Sequence, residues 1–184
     1  ANGEIVPGLS LNGTLATAVP GSVMGMWEAH KKFGKLSWSQ VMAPAIAYAR
    51  NGFTAYSTAT VSTNAAHANF NDYCGGKMTQ GQLFKQPELA DTLQRISDKG
   101  ADEFYSGQTA DLLVAEMERT KGLITKADLQ NYKAIWRDPV AIPWNGHTIY
   151  TAPPPSSGGF GIGQLLKMKQ VLAPQFASAP LNSA

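Results

Sequence analysis

Three prolines, two serines and two glycines run together at Pro153–Gly159, the most unusual local chemistry in the chain. The prolines hold the approach extended and rigid, and a helix starting just beyond them leaves its first amides without internal partners. Amides placed like that can receive an anion. A plainer role is open to the same residues: Ser156 or Ser157 caps the helix, and Gly158 and Gly159 permit close packing. On residue chemistry alone the plainer role is favoured.

The other chemistry-bearing residues stand apart. His30, His67 and His147 have no partner at the one-turn spacing of a zinc-ligand pair, so they are predicted as surface or packing histidines. Cys74 is the single cysteine, which excludes an internal disulfide framework and a multi-cysteine zinc site. It falls in a predicted loop between Tyr73 and Gly75-Gly76, with no activating neighbour. There is no G-x-S-x-G elbow and no S-x-x-K followed by S-D-N. The run Gly158-Gly159-Phe160-Gly161-Ile162-Gly163 has the look of a dinucleotide loop, but a triproline precedes it where a strand is needed. Glu116 and Glu118, two apart on a predicted helix, do not face each other and read as solvated charges. No residue of this chain is therefore assigned as catalytic, cofactor-binding or metal-binding.

The elements that must position the Pro153–Gly159 turn are mostly helical. An irregular lead-in with an extended piece at Leu15–Val19 is expected first. A helix over Val23–Phe33 follows, capped by Ser22, with Val23, Met26, Trp27 and His30 on one face. Ser37 and Gln40 form a capping-box pattern opening a helix to Asn51, which Pro44 is expected to kink or break. A weak helix is predicted from Ser57 to Phe70 and a loop over Asn71–Gln82. Pro87 opens a helix to Lys99, stopped by Gly100, with Leu89, Leu93 and Ile96 as its stripe. One turn at Ala101–Tyr105, a helix over Thr109–Lys121 with Ala110, Leu112, Leu113 and Met117 buried, and a Thr125-capped helix to Tyr132 complete this region.

The period then changes. Ala134–Trp136 and Val140–Trp144 read as extended, and Asn145-Gly146 marks a tight turn before His147–Thr151. A helix over Gly159–Leu172 follows the prolines, and Ala173–Ala184 reads as a weak tail that looks cut rather than finished.

Composition bounds the partners. The chain has 184 residues, of which 43% are hydrophobic and only 15% charged, below the usual quarter. The shortfall suggests a surface partly covered by something else, or a piece of a larger body. A net charge of +2 gives no electrostatic case for nucleic acid. No apolar run approaches the length of a membrane span.

Three stretches resemble the gamma-glutamyltransferase (gamma-glutamyltranspeptidase) family. The first is Ala18-Val19-Pro20-Gly21-Ser22, leading through Met42–Ile46 to Ala49-Arg50-Asn51-Gly52-Phe53. The second is Gly100–Gly107. The third runs from Gly122-Leu123-Ile124-Thr125 through Asp128-Leu129, Tyr132, Trp136-Arg137 and Pro139-Val140 to Tyr150–Gly159. Their order and spacing look like the middle to C-terminal part of the family's large subunit, and they cover nearly the whole chain.

The resemblance implies a fold that is mainly α with a small β-hairpin, the helical lobe of the large subunit of an αββα N-terminal-nucleophile hydrolase. Residues 1–18 would be a lead-in, 19–132 the helical lobe, and 133–184 a hairpin and helix belonging to the αββα core. It implies a self-cleaving precursor whose small subunit begins with a nucleophilic threonine absent from this chain. That threonine would cleave gamma-glutamyl amides such as glutathione and pass the acyl group to water, an amino acid or a peptide. Pro155, Ser156, Ser157, Gly158 and Gly159 would line or support the wall near that nucleophile. No cofactor is implied. The implied partners are the remainder of the large subunit, the threonine-start small subunit and gamma-glutamyl small molecules. The implied location is the periplasm or cell exterior, and the chain alone is expected to be inactive. Two alternatives stay open: a cephalosporin (glutaryl) acylase-like amidohydrolase of the same superfamily, and a non-catalytic helical interaction or scaffold domain.

Overall fold

A computed structural model describes residues 3–56 and 79–176. The predicted Ser57–Phe70 helix, most of the Asn71–Gln82 loop, His67 and Cys74 lie outside the described residues. The described residues are mostly helical with two short antiparallel strand pairs. The chain divides into two compact units, residues 1–134 and 135–184.

In the first unit, a 3₁₀ turn at Thr14–Ala16 replaces the extended piece expected at Leu15–Val19. Gly13 enters the turn at φ 86°, and its carbonyl accepts from Ala16 N–H (3.1 Å), which closes the chain locally. Helix α1 (Ser22–Phe33) is preceded by Gly21, and the expected Ser22 cap is not formed. Glycine is needed at the entry because a Cβ on Gly21 would run into the Tyr132 ring, with Cζ at 2.9 Å. Val23, Met24 and Trp27 face the core, while Met26 is exposed.

Helix α2 (Trp38–Asn51) opens on the expected capping box, in which Ser37 N–H donates to Gln40 Oε1 (2.9 Å) and Gln40 N–H to Ser37 Oγ (3.3 Å). The helix runs unbroken through Pro44, so of the kink or break expected there the break does not occur. The proline removes the amide that would bond the Gln40 carbonyl, but Gln40 is exposed, so water can replace it. Strands β1 (Phe53–Thr54) and β2 (Leu83–Phe84), which the sequence did not announce, pair Phe53 with Phe84, ring edge to ring face at 5.8 Å.

Helix α3 (Pro87–Lys99) packs along α2 and ends at Gly100, whose φ of 73° suits glycine. Its inward stripe is Ala90, Leu93 and Ile96, so Leu89, expected to be buried, is exposed. Helices α4 (Ala101–Ser106), α5 (Gln108–Thr120) and α6 (Lys126–Gln130) then surround the core of Ala101, Tyr105, Ala110, Met117, Ile124 and Leu129. Leu129 is fully buried, a contribution of about 1.5–3 kcal/mol. Leu112 is 55% exposed, a correction to the expected stripe, because the inward face of α5 passes through Ala110, Leu113 and Met117. Thr125 and Asp128 form the capping box that opens α6.

In the second unit, β3 (Val140–Trp144) and β4 (His147–Thr151) form the expected hairpin, with Trp144 opposite His147. Asn145 (φ 45°) and Gly146 (φ 81°) make its turn, both in the left-handed region that a two-residue connection demands. Residues 134–136 form no strand, because the register set by this turn starts the ladder at Val140. Helix α7 (Ser157–Val171) and the short α8 (Ala173–Phe176) end the described chain. Among the described residues no helix is long and apolar enough to cross a membrane.

Candidate functional site

The five residues singled out by sequence, Pro155, Ser156, Ser157, Gly158 and Gly159, form one turn between the hairpin and α7. Strand β4 delivers the chain to Ala152, and the Pro154–Pro155 bond is cis. Ser156 N–H donates to the Pro153 carbonyl at 3.1 Å, closing the turn. Helix α7 then starts at Ser157, two residues earlier than expected.

Ser156 stands at the helix cap position, but its side chain makes no capping bond. Pro155, Ser156, Ser157 and Gly158 are all exposed. The serine-cap reading is therefore corrected: no cap side chain satisfies the first amides of α7, and the hydroxyls face outward. Gly159 does what the packing role required. A Cβ there would overlap the Ala152 carbonyl oxygen and lie 2.8 Å from Thr151 Oγ1, so only glycine lets α7 touch the end of β4. A Cβ on Gly163, one turn on, would lie 3.3 Å from Ile142 Cδ1, so glycine there also eases the approach of β3 to α7. Gly158 has ordinary room, its nearest neighbour being Ser156 Oγ at 3.8 Å.

Beside this contact lies an open cavity of about 230 Å³, lined mainly by Val140–Pro143 of β3 and by Gly159, Phe160 and Gly163 of α7. Sequence reasoning missed it. The available signal was the four-residue spacing of Gly159 and Gly163, which puts both on one helix face.

The remaining candidates take up structural duties. His30 Nε2 lies 2.9 Å from the Leu36 carbonyl, and its ring sits against Trp27 and Trp38. His147 is exposed in β4. Glu116 pairs with Arg119 at 2.7 Å. Among the described residues no group of three His, Cys, Asp or Glu side chains could hold a metal.

Two residues inside the Gly100–Gly107 stretch were not foreseen individually. Glu103 is 3% exposed, yet it accepts from Thr109 N–H (3.2 Å) and Oγ1–H (3.3 Å) at the start of α5, beside Arg95 (3.3 Å) and Lys99 (3.6 Å). Burial pushes its pKa up, but the Thr109 amide, the Lys99 charge and the Thr109 hydroxyl outweigh that, holding the carboxyl below its ordinary value. Tyr105 donates its hydroxyl proton to the Pro20 carbonyl (2.7 Å) and accepts from Met24 N–H (3.1 Å), tying α4 to the start of α1. Burial raises its pKa. Both residues build the scaffold of the helical unit.

Comparison with known proteins identifies the family. The family model for gamma-glutamyltranspeptidase matches residues 2–184. A glutathione hydrolase proenzyme from Pseudomonas aeruginosa is 53% identical over 99% of this chain, which spans 34% of that relative's length. The structure of a gamma-glutamyltranspeptidase from Pseudomonas nitroreducens, complexed with L-DON, superposes with a TM-score of 0.91 at 51% identity, covering 99% of this chain and 56% of that one. A weaker likeness, at 28% identity and a TM-score of 0.71 over 77% of this chain and 29% of that one, joins it to a cephalosporin acylase from Bacillus halodurans. With a family model matched from end to end and close agreement in both sequence and backbone, the chain belongs to the gamma-glutamyltranspeptidase family.

Proposed function

We propose that this chain is part of the large subunit of a gamma-glutamyltransferase that hydrolyses glutathione and related gamma-glutamyl amides. The observation that carries the reading is the 53% identity, along essentially the whole chain, to a glutathione hydrolase proenzyme. The nucleophile is the N-terminal threonine of a small subunit released by self-cleavage. It attacks the gamma-glutamyl carbonyl while its own amine takes the hydroxyl proton. The amide C–N bond then breaks, the leaving amine departs with that proton, and the acyl-enzyme is resolved by water or by an amino acid or peptide. Donors aimed at the tetrahedral oxygen supply most of the stabilisation.

In this reading residues 19–132 are the helical lobe and residues 133–184 join an αββα core. The exposed apolar residues of α7 support that placement: Phe160, Ile162, Leu165, Met168 and Val171 form a broad apolar face that the described residues leave uncovered. The Pro153–Gly159 turn forms the wall beside the threonine, and its rigidity and unfilled helix amides suit a support for that site. The protein acts in the periplasm or outside the cell and needs no cofactor.

Expression of the full-length gene, followed by intact-mass measurement and terminal sequencing, tests the proposal. Two chains are expected, the smaller beginning with threonine, together with release of nitroaniline from gamma-glutamyl p-nitroanilide. Replacement of that threonine by alanine should abolish both events. Preference for a glutaryl amide over the gamma-glutamyl one would favour the acylase reading, which the weaker likeness motivates. An unprocessed, inactive product would favour a scaffold domain. The 184-residue chain by itself is expected to release no product.

A further inference from the structure

At the end of α1, Phe33 is 66% exposed and Leu36 58% exposed. Lys31, Lys32 and Lys35 stand among them, all on the exposed surface. The one acid between Met26 and Trp38 is Glu28, which pairs with Lys31 at 2.5 Å, so the segment carries a net positive charge.

The tip is well anchored. Gly34 N–H donates to the His30 carbonyl (2.7 Å), and the His30 ring reaches across to the Leu36 carbonyl (2.9 Å). A Cβ on Gly34 would lie 2.6 Å from His30 Cδ2, so glycine is what allows the turn to fold over the ring. That ring lies against Trp38 at 5.1 Å, and Trp38 Nε1–H donates to the Ile96 carbonyl at 3.0 Å, fixing the turn to α3. Phe33 and Leu36 are therefore held outward by an ordered frame, so their display adds little ordering entropy to any binding event.

We propose that this tip is a peripheral docking surface for an anionic lipid membrane. Charge complementarity favours a negatively charged surface, and the interleaved Phe33 and Leu36 favour one with an apolar layer beneath its charges. The Lys32 ammonium sits 5.3 Å from the Phe33 ring centroid, and a lysine stem can keep its charge at headgroup level while the ring dips below. A soluble polyanion would engage the lysines and have no use for the two apolar side chains. Docking is peripheral because α1, at 12 residues with a charged end, cannot span a bilayer.

Flotation of the full-length protein with vesicles of phosphatidylcholine alone, or phosphatidylcholine with phosphatidylglycerol, tests this. Binding is expected only to the anionic vesicles and should fade as salt rises. Lys35→Glu changes the charge by two and should weaken binding about 30-fold, at roughly fivefold per charge. Phe33→Ser should weaken it about tenfold. Lys133→Glu, an exposed lysine elsewhere, should change it less than about twofold, and all three variants should keep the wild-type circular dichroism. Binding to neither vesicle, equal binding to both, or equal loss in Lys35→Glu and Lys133→Glu would overturn the proposal. Undiminished binding of Phe33→Ser would also overturn it, since charge alone would then account for the vesicle binding and the apolar side chains would have no part in it.

Discussion

Replacing Gly159 by alanine tests whether the meeting of α7 with the end of β4 fixes the Pro153–Gly159 turn. The added methyl would lie 2.8 Å from Thr151 Oγ1 and 2.9 Å from Thr151 Cγ2, and closer still to the Ala152 carbonyl oxygen. Rotating Thr151 relieves the first two contacts but not the third, which is backbone. Restoring contacts near 3.5 Å requires the helix to retreat by roughly 1 Å, and overpacking of this kind costs about 1–3 kcal/mol. Against this, alanine in place of glycine within a helix gains about 1 kcal/mol. The net expectation is a loss of about 1 kcal/mol. Gly161 supplies the control, because it lies in the same helix with nothing within 4 Å of its added methyl. There only the propensity gain applies, so Gly161→Ala should be about 1 kcal/mol more stable than wild type. Urea unfolding of the 184-residue chain, followed by far-ultraviolet circular dichroism, should separate the variants by about 2 kcal/mol with opposite signs. If both substitutions stabilise, the close approach does not hold the turn and the reasoning fails. If the full-length protein hydrolyses gamma-glutamyl amides as proposed, Gly159→Ala should also lower that activity, since the proposed wall moves with the helix.

Glu103→Gln should destabilise the helical unit by about 1.5–3 kcal/mol, as bonds to a buried carboxylate become bonds to an amide. Because that carboxyl is held below its ordinary value of 4.5, its contribution is complete above that pH and is lost as pH falls through the lower folded value. Acid titration of stability should therefore show a shallower fall in Glu103→Gln than in wild type. Tyr105→Phe should cost about 1–2 kcal/mol by removing the bonds to Pro20 and Met24. With its folded pKa raised above 10.0, the phenol's contribution is whole below that pH and fades only as pH climbs through the raised value, which alkaline melting curves of the two proteins would reveal. Ser37→Ala should lower the thermal midpoint, corresponding to about 1 kcal/mol, through loss of the box that starts α2.

Features governed by near neighbours were legible in the sequence. The Ser37–Gln40 and Thr125–Asp128 boxes, the stop at Gly100 and the Asn145-Gly146 turn each follow from rules spanning four residues or fewer, and all four are present. Features that depend on distant partners were not. The β1–β2 pair has two residues per strand, too short for any period to register. Leu112 was expected inside because it is apolar, but helix phase is fixed by what α4 and α6 present to α5. At the candidate site, the turn itself was readable from composition. The reason for Gly159 was not, since it lies in the carbonyl of Ala152 and the side chain of Thr151. The role of Glu103 likewise needs Arg95, eight residues earlier on another helix.

The exposed apolar residues around α7 also bear on quality control. A helix with Phe160, Leu165, Met168 and Val171 turned outward is a natural target for a chaperone, and for a protease if the chaperone lets go. Covering that helix would remove both signals at once. If α7 is enclosed in the whole protein as proposed above, a chain in which it stayed bare would be marked for retention or destruction by the same side chains that enclosure hides.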